Sequence, residues 1–322
     1  MKNLRVSMKT FVATICLIIA SQKSNAQYDA MFTQYMFNET FINPAYAGSK
    51  EAMSASMVHR QQWVNFPGRP VTTSFSLHGP IMGNKMGAGL SILNDRIGVL
   101  NRNLIYASYA YRLTIDEKST LAMGLMGGID NQVNKFSDLK ITNNIGATTD
   151  NQFSQNSASA TAPNFGVGLY YNTKTLYAGI SIPRLIQNDI SFSNNTGATI
   201  KTARLEASRF TYYLTAGYLF KLTDEFKLRA NTMIKLVKNA PAQIDLGANL
   251  LIKDLVWVGS SYRSKSALSA LLGIQANKQL LVCYSYDYTV NKIQTYSRGS
   301  HEIALNYLFS FKSTKVITPR YF

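Results

Sequence analysis

From residue 51 onward, apolar and polar residues alternate with a period of two along segments long enough to cross a bilayer. In 225–238, Phe226, Leu228, Ala230, Ile234 and Leu236 share one face, and Lys227, Arg229, Asn231 and Lys235 share the other. In 242–253, Ile244, Leu246, Ala248, Leu250 and Ile252 oppose Gln243, Asp245, Gly247 and Asn249. In 300–311, Ile303, Leu305, Tyr307, Phe309 and Phe311 oppose Glu302, Asn306 and Ser310. The segments 51–63, 71–79, 86–95, 101–113, 119–132, 164–173 and 175–183 read in the same way. So do 209–221, 225–238, 242–253, 255–264, 266–276, 279–290 and 300–311, which makes about fourteen strands. Most are about 9–14 residues, the length of a tilted membrane strand, whereas soluble strands average about 5–6. Lipid offers no partner for backbone N–H and C=O groups, so such strands must close into a ring. The expectation is an all-β transmembrane outer-membrane β-barrel of antiparallel strands.

The connections test this independently. Barrels of this kind have short turns on the periplasmic side and long loops outside. The short connections 114–118, 172–174, 223–224, 253–254 and 277–278 are all even-numbered in chain order. The long ones near 133–163, 184–208 and 291–299 are all odd-numbered. The two longest are rich in Asn, Ser, Thr and Ala, as exposed loops are. Tyr 19 and Phe 16 against Trp 2 suit strands and interfacial girdles. The terminal Phe322 agrees with a last strand read by insertion machinery.

Residues 1–26 read as a secretory signal peptide: Lys2, Arg5 and Lys9, then an apolar run from Phe11 to Ala20, then small residues at Ser24 and Ala26. The run is too short to span a membrane, and the chain after it holds no stretch of roughly 18 apolar residues. Of the two cysteines, Cys16 leaves with the signal, so Cys283 has no partner for an internal disulfide and reads as a packing residue. Removing Lys2, Arg5, Lys9 and Lys23 lowers the formal charge from +16 to +12. These charges are dispersed among strands and turns, without the clustering a nucleic-acid site needs, so no nucleic-acid partner is expected. A lumen or rim attracting acidic partners, or contact with anionic lipid head groups of the outer membrane, is the preferred reading.

Residues 27–50 do not alternate. Ala30–Asn38 could form a short helix that Asn43-Pro44 breaks. Phe32, Tyr35, Met36, Phe37 and Tyr46 need burial, so the segment is expected to plug the interior or periplasmic mouth of the barrel at 51–322, or to dock another protein. Candidate contact residues are Phe32, Tyr35, Phe37, Asn43, Pro44 and Tyr46.

The stretches FTQYMFN (32–38) and NPAYAGS (43–49) resemble the start of mature PorP/SprF-type membrane proteins. RQQWVNFPGRPVTTSFSLHGPI (60–81), GAGLSILNDRIG (87–98), WVGSSYR (257–263) and YSYDYTV (284–290) extend the likeness across both ends of the chain, while 131–208 departs from it. The resemblance implies an outer-membrane protein of the type IX secretion and gliding apparatus. It also implies a role in secretion or surface attachment of particular cargo, including large adhesins, beside other secretion components.

The residues offer little catalytic chemistry. His59, His78 and His301 fall on neighbouring strands, but the pleat points His78 inward and the other two outward, so no metal site or cofactor is expected. Neither G-x-S-x-G nor H-E-x-x-H occurs. Inward faces carry Arg60, Arg112, Lys227, Arg229, Lys235 and Arg263 against Asp245, Asp287 and Glu302, expected as a lumen charge network that pins the plug or as a path for an acidic ligand. Trp63 and Arg69 near the first outer loop are interface candidates, or a girdle aromatic and a rigid turn. The leading expectation is a non-enzymatic cargo-binding component. The alternatives are an anion-preferring diffusion porin and an outer-membrane lipid-modifying enzyme.

Overall fold

A computed structural model describes residues 30–135, 158–193, 197–205, 210–238 and 240–309. The expected signal peptide, most of the 133–163 loop and Phe322 lie outside these residues.

Fourteen strands form a closed antiparallel barrel. They are β1 (Met53–Gln61), β2 (Val71–Ile81), β3 (Met86–Ile97), β4 (Leu100–Asp116), β5 (Ser119–Asn134), β6 (Ala158–Asn172) and β7 (Leu176–Ile182). A two-stranded hairpin, β8 (Ile186–Ser193) and β9 (Gly197–Leu205), interrupts the ring. The ring resumes with β10 (Thr211–Lys221), β11 (Phe226–Val237), β12 (Gln243–Ile252), β13 (Val256–Arg263), β14 (Ala267–Gln275), β15 (Leu280–Thr289) and β16 (Ser300–Phe309). Closure is direct: β1 pairs with β16 from Met53↔Phe309 to Gln61↔His301. Each expected strand is present, with its ends shifted by a few residues.

The pleat sorts side chains as the alternation demands. On β14, Ala267, Ser269 and Leu271 face inward and are buried, whereas Leu268, Leu272 and Ile274 are exposed to the lipid side. No helix among the described residues is long and apolar enough to cross a membrane. The longer connections 62–70, 183–210 and 290–299 lie at one end, which places that end outside the cell.

Two expectations need correction. The 184–208 connection is not a plain loop, because β8 and β9 pair from Ile186↔Leu205 to Ser193↔Gly197. Ala30–Asn38 is not a helix; it holds only a 3-10 turn at Tyr35–Phe37. The amides of Thr33 and Gln34 go instead to a strand carboxylate, as described below. One α-turn follows at Glu39–Ile42 and stops at Asn43, whose extended backbone precedes Pro44.

Candidate functional site: the segment inside the barrel

Residues 30–50 run down the inside of the ring, touching strands on opposite sides. At the outer end, Glu302 on β16 accepts the amides of Thr33 at 2.9 Å and Gln34 at 2.6 Å, one on each carboxylate oxygen. The Gln34 side-chain amide donates to Ser285 Oγ at 3.2 Å and to the Glu302 carbonyl at 3.1 Å. Arg60 on β1 donates to Thr33 Oγ1 at 2.8 Å and pairs with Glu302 at 3.0 Å and Asp287 at 2.6 Å. Thr33 Oγ1 in turn donates to Asp287 at 2.7 Å. Arg60, Asp287 and Glu302 are all at most 2% exposed. Buried charges persist only when paired and hydrogen-bonded, and the segment's backbone supplies part of that pairing.

A second tether lies beside the first. Arg263 on β13 pairs with Asp245 on β12 at 2.9 Å and donates to the Phe32 carbonyl at 2.6 Å. Deeper in, Asn231 on β11 donates to the Tyr35 hydroxyl at 2.7 Å. Ser181 on β7 donates to the Ile42 carbonyl at 2.8 Å, and the Asn43 amide donates to the Leu169 carbonyl on β6 at 2.9 Å. Asn43 Oδ1 also accepts the Ala45 amide at 3.0 Å, which stabilises the turn Pro44–Tyr46. At the periplasmic end, the Gly48 amide donates to Nδ1 of His78 on β2 at 3.2 Å. Lys50 reaches Asn306 at 3.2 Å, beside the start of β1.

Apolar packing accompanies these bonds. Phe32, Tyr35, Phe37, Asn43, Pro44 and Tyr46, the six residues singled out from the sequence, are all buried. Tyr46 meets Tyr170 edge-on at 5.3 Å and His78 at 5.1 Å. The wall makes room with glycine. A Cβ on Gly124 would lie 2.1 Å from the Ala45 nitrogen, and one on Gly168 would lie 2.0 Å from Asn43 Oδ1. Beside the segment lies a cavity of about 50 Å³, lined in part by Phe32, Tyr35, Arg102, Tyr213, Lys235 and Arg263, room for a few waters.

The expected charge network divides. Arg60, Asp287 and Glu302 form one cluster and Arg263 with Asp245 another. Arg112 and Arg229 are buried and face inward, Arg229 with its guanidinium 5.9 Å from the centre of the Trp257 ring. Lys227 stands apart from the network: it pairs at 2.7 Å with Asp254 in the β12–β13 turn, because its strand position is the last before the periplasmic mouth. Trp63 and Arg69 sit in the 62–70 loop, away from the lumen cluster; Trp63 packs edge-on against Phe66 at 6.3 Å.

Two ionisable residues of the segment escaped the sequence reading. Burial pushes the Glu39 carboxyl up to about 7, with Arg229 opposing the shift, and pushes the Lys50 ammonium down to about 8. Their only sequence signal was charge within an aromatic stretch that had to be buried.

A closed ring with a lipid-facing apolar band defines an outer-membrane β-barrel. The chain belongs to the family of type IX secretion system membrane proteins PorP/SprF, whose model matches residues 24–307. No curated protein matches it in sequence. Among solved structures, it is similar to the toluene transporter TbuX of Ralstonia pickettii, with TM-score 0.50 at 11% identity over 84% of this chain and 93% of that one. It is also similar to a Pseudomonas aeruginosa FadL homologue, with TM-score 0.46 at 11% identity over 83% and 93%. At such identity TbuX attests the barrel fold alone. Family and fold make this an outer-membrane component of type IX secretion, with other secretion components as its implied partners.

Proposed function

We propose that this chain is a non-enzymatic cargo-binding barrel in which residues 30–50 act as a plug. The observation that carries the plug is Glu302, buried in the wall with both oxygens committed to the segment's backbone. A diffusion porin needs a continuous aqueous lumen, and a segment tethered to β1, β2, β6, β7, β11, β13, β15 and β16 opposes one. Cargo recognition then falls to the outer loops. The 62–70 loop, with Trp63 and Arg69, is ordered by backbone bonds from Val64 to Gly299 and from Arg298 to Val64, at 2.8 and 2.9 Å. Family membership supports a secreted protein as the occupant of that surface.

Two measurements test this. In a planar bilayer the intact barrel should show no steady pore, and deletion of residues 30–49 should open one. A steady large pore from the intact barrel would establish the porin reading instead. The barrel purified from its own outer membrane should retain a secreted protein that a Trp63→Ala, Arg69→Ala variant loses. Equal retention by both would remove the loop from the binding surface.

A further inference from the structure

The lipid-facing surface changes character abruptly across one half of the barrel. One register row on β1–β6 is apolar throughout: Met57, Phe75, Ile92, Ile105, Ile129 and Pro163. The next outward-facing row, two residues nearer the cell exterior, is polar throughout: His59, Thr73, Asn94, Asn103, Asn131 and Thr161. All six face away from the lumen and are at least partly exposed. They form a hydrogen-bonded ladder. His59 Nδ1 meets Thr73 Oγ1 at 2.9 Å. The Asn94 amide donates to Asn103 and Asn101, both at 2.7 Å, and the Asn131 amide donates to Thr161 at 2.8 Å and Ser159 at 3.2 Å.

Beyond the β1–β16 seam the same register row is apolar: Ile303, Tyr284, Leu272 and Val258 on β16, β15, β14 and β13. The polar strip is therefore local to β1–β6. β4 and β5, at 17 and 16 residues, exceed the roughly 9–11 that a tilted strand needs to cross the hydrocarbon, so their outer ends, which carry Asn103 and Asn131, lie among the head groups. The row above is mixed: Gln61, Arg96, Asn101 and Ser159, with Val71 and Val133 among them. Arg69 approaches too: Nη2 reaches Gln61 Oε1 at 3.5 Å, and the Gly98 amide bonds the Gly68 carbonyl at 3.0 Å, joining the 62–70 loop to the β3–β4 turn. These two rows hold no carboxylate among the described residues.

We propose that this strip binds the head group of an outer-leaflet glycolipid, sugar hydroxyls against the Asn ladder and phosphate against Arg96 and Arg69. Amides supply both donors and acceptors, as hydroxyl-rich rings require, and guanidinium forks suit phosphate oxygens. The position fixes the source as a membrane lipid, because the strip directly borders the apolar band.

Native mass spectrometry of the full-length, delipidated barrel titrated with a short-core lipopolysaccharide or with phosphatidylglycerol tests the proposal. The unaltered chain should take up lipopolysaccharide in preference. A variant carrying Asn94→Val, Asn103→Val and Asn131→Val should bind it about tenfold more weakly, the loss of one or two hydrogen bonds. Arg96→Glu, at an exposed site where folding is not at stake, should weaken binding as well. Heat-modifiable migration on gels verifies that each variant is folded. Absence of preference in the unaltered chain overturns the proposal, as does undiminished lipopolysaccharide binding by the folded variants; if the triple variant fails to fold, Arg96→Glu decides alone.

Discussion

Glu302 holds the amide of Gln34 at 2.6 Å, across 268 residues of sequence. The same carboxylate pairs with Arg60, so one side chain serves the wall and the segment together.

Glu302→Ala strips Arg60 of one of its two partners inside the wall and frees two backbone amides. Breaking a buried pair costs about 3–5 kcal/mol. We expect the segment to unseat in a barrel that still closes, because ladder bonds between β1 and β16 do not involve this carboxylate. Chymotrypsin should then cleave at Tyr35 or Phe37, residues it does not reach in the parent. Resistance equal to the parent's would show that Glu302 does not hold the segment.

Gly124→Val places a side chain where Ala45 already sits, 2.1 Å from its nitrogen. Overpacking of this kind costs about 1–3 kcal/mol. The expected result is cleavage at the same aromatic residues without loss of heat-modifiable migration. Retained protection would mean that the wall yields instead.

Cys283 reports the same opening. It is 1% exposed and faces inward on β15, and removal of the signal would leave it the sole thiol. A membrane-impermeant maleimide should react roughly a hundredfold faster with the Glu302→Ala protein than with the parent, following the free energy of unseating. Equal rates would place the thiol's protection in the wall alone.

Seating should depend on pH in a defined way. Glu39 rises from 4.5 to about 7 when buried, so the seated state binds its proton more tightly. Its contribution to seating is full below pH 4.5 and is lost as pH rises toward 7. Lys50 falls from 10.5 to about 8, so seating strengthens again from pH 8 toward 10.5. Glu39→Gln protein should therefore be better protected from protease than the parent above about pH 7 and equally protected below pH 4.5. Equal protection of the two proteins at both ends of that range would show that Glu39 does not carry the dependence.

The ring was legible in the sequence because period-two alternation and loop parity are properties of single segments. Leu228 and Arg229 declare their faces without reference to any neighbour. What failed depended on partners distant in sequence. Ala30–Asn38 has a helix-compatible pattern, but its amides are claimed by Glu302, which no local rule foresees. The β8–β9 hairpin was hidden by Asn, Ser and Thr, which also suit loops. Lys227 faces the lumen as expected, yet its partner Asp254 belongs to a turn whose geometry only the register reveals. The polar ladder was invisible for the same reason: Asn94, Asn103 and Asn131 lie on three strands, and only pairing puts them in one row.

Thr33 and Gln34 belong to the first part of the chain, whereas Asp287 and Glu302 belong to its last two strands, one of which zips against β1. A nascent barrel lacking its C-terminal hairpin therefore has neither a finished seam nor the two carboxylates that grip Thr33 and Gln34. The outermost tether of the segment and the last stretch of wall are made by the same two strands.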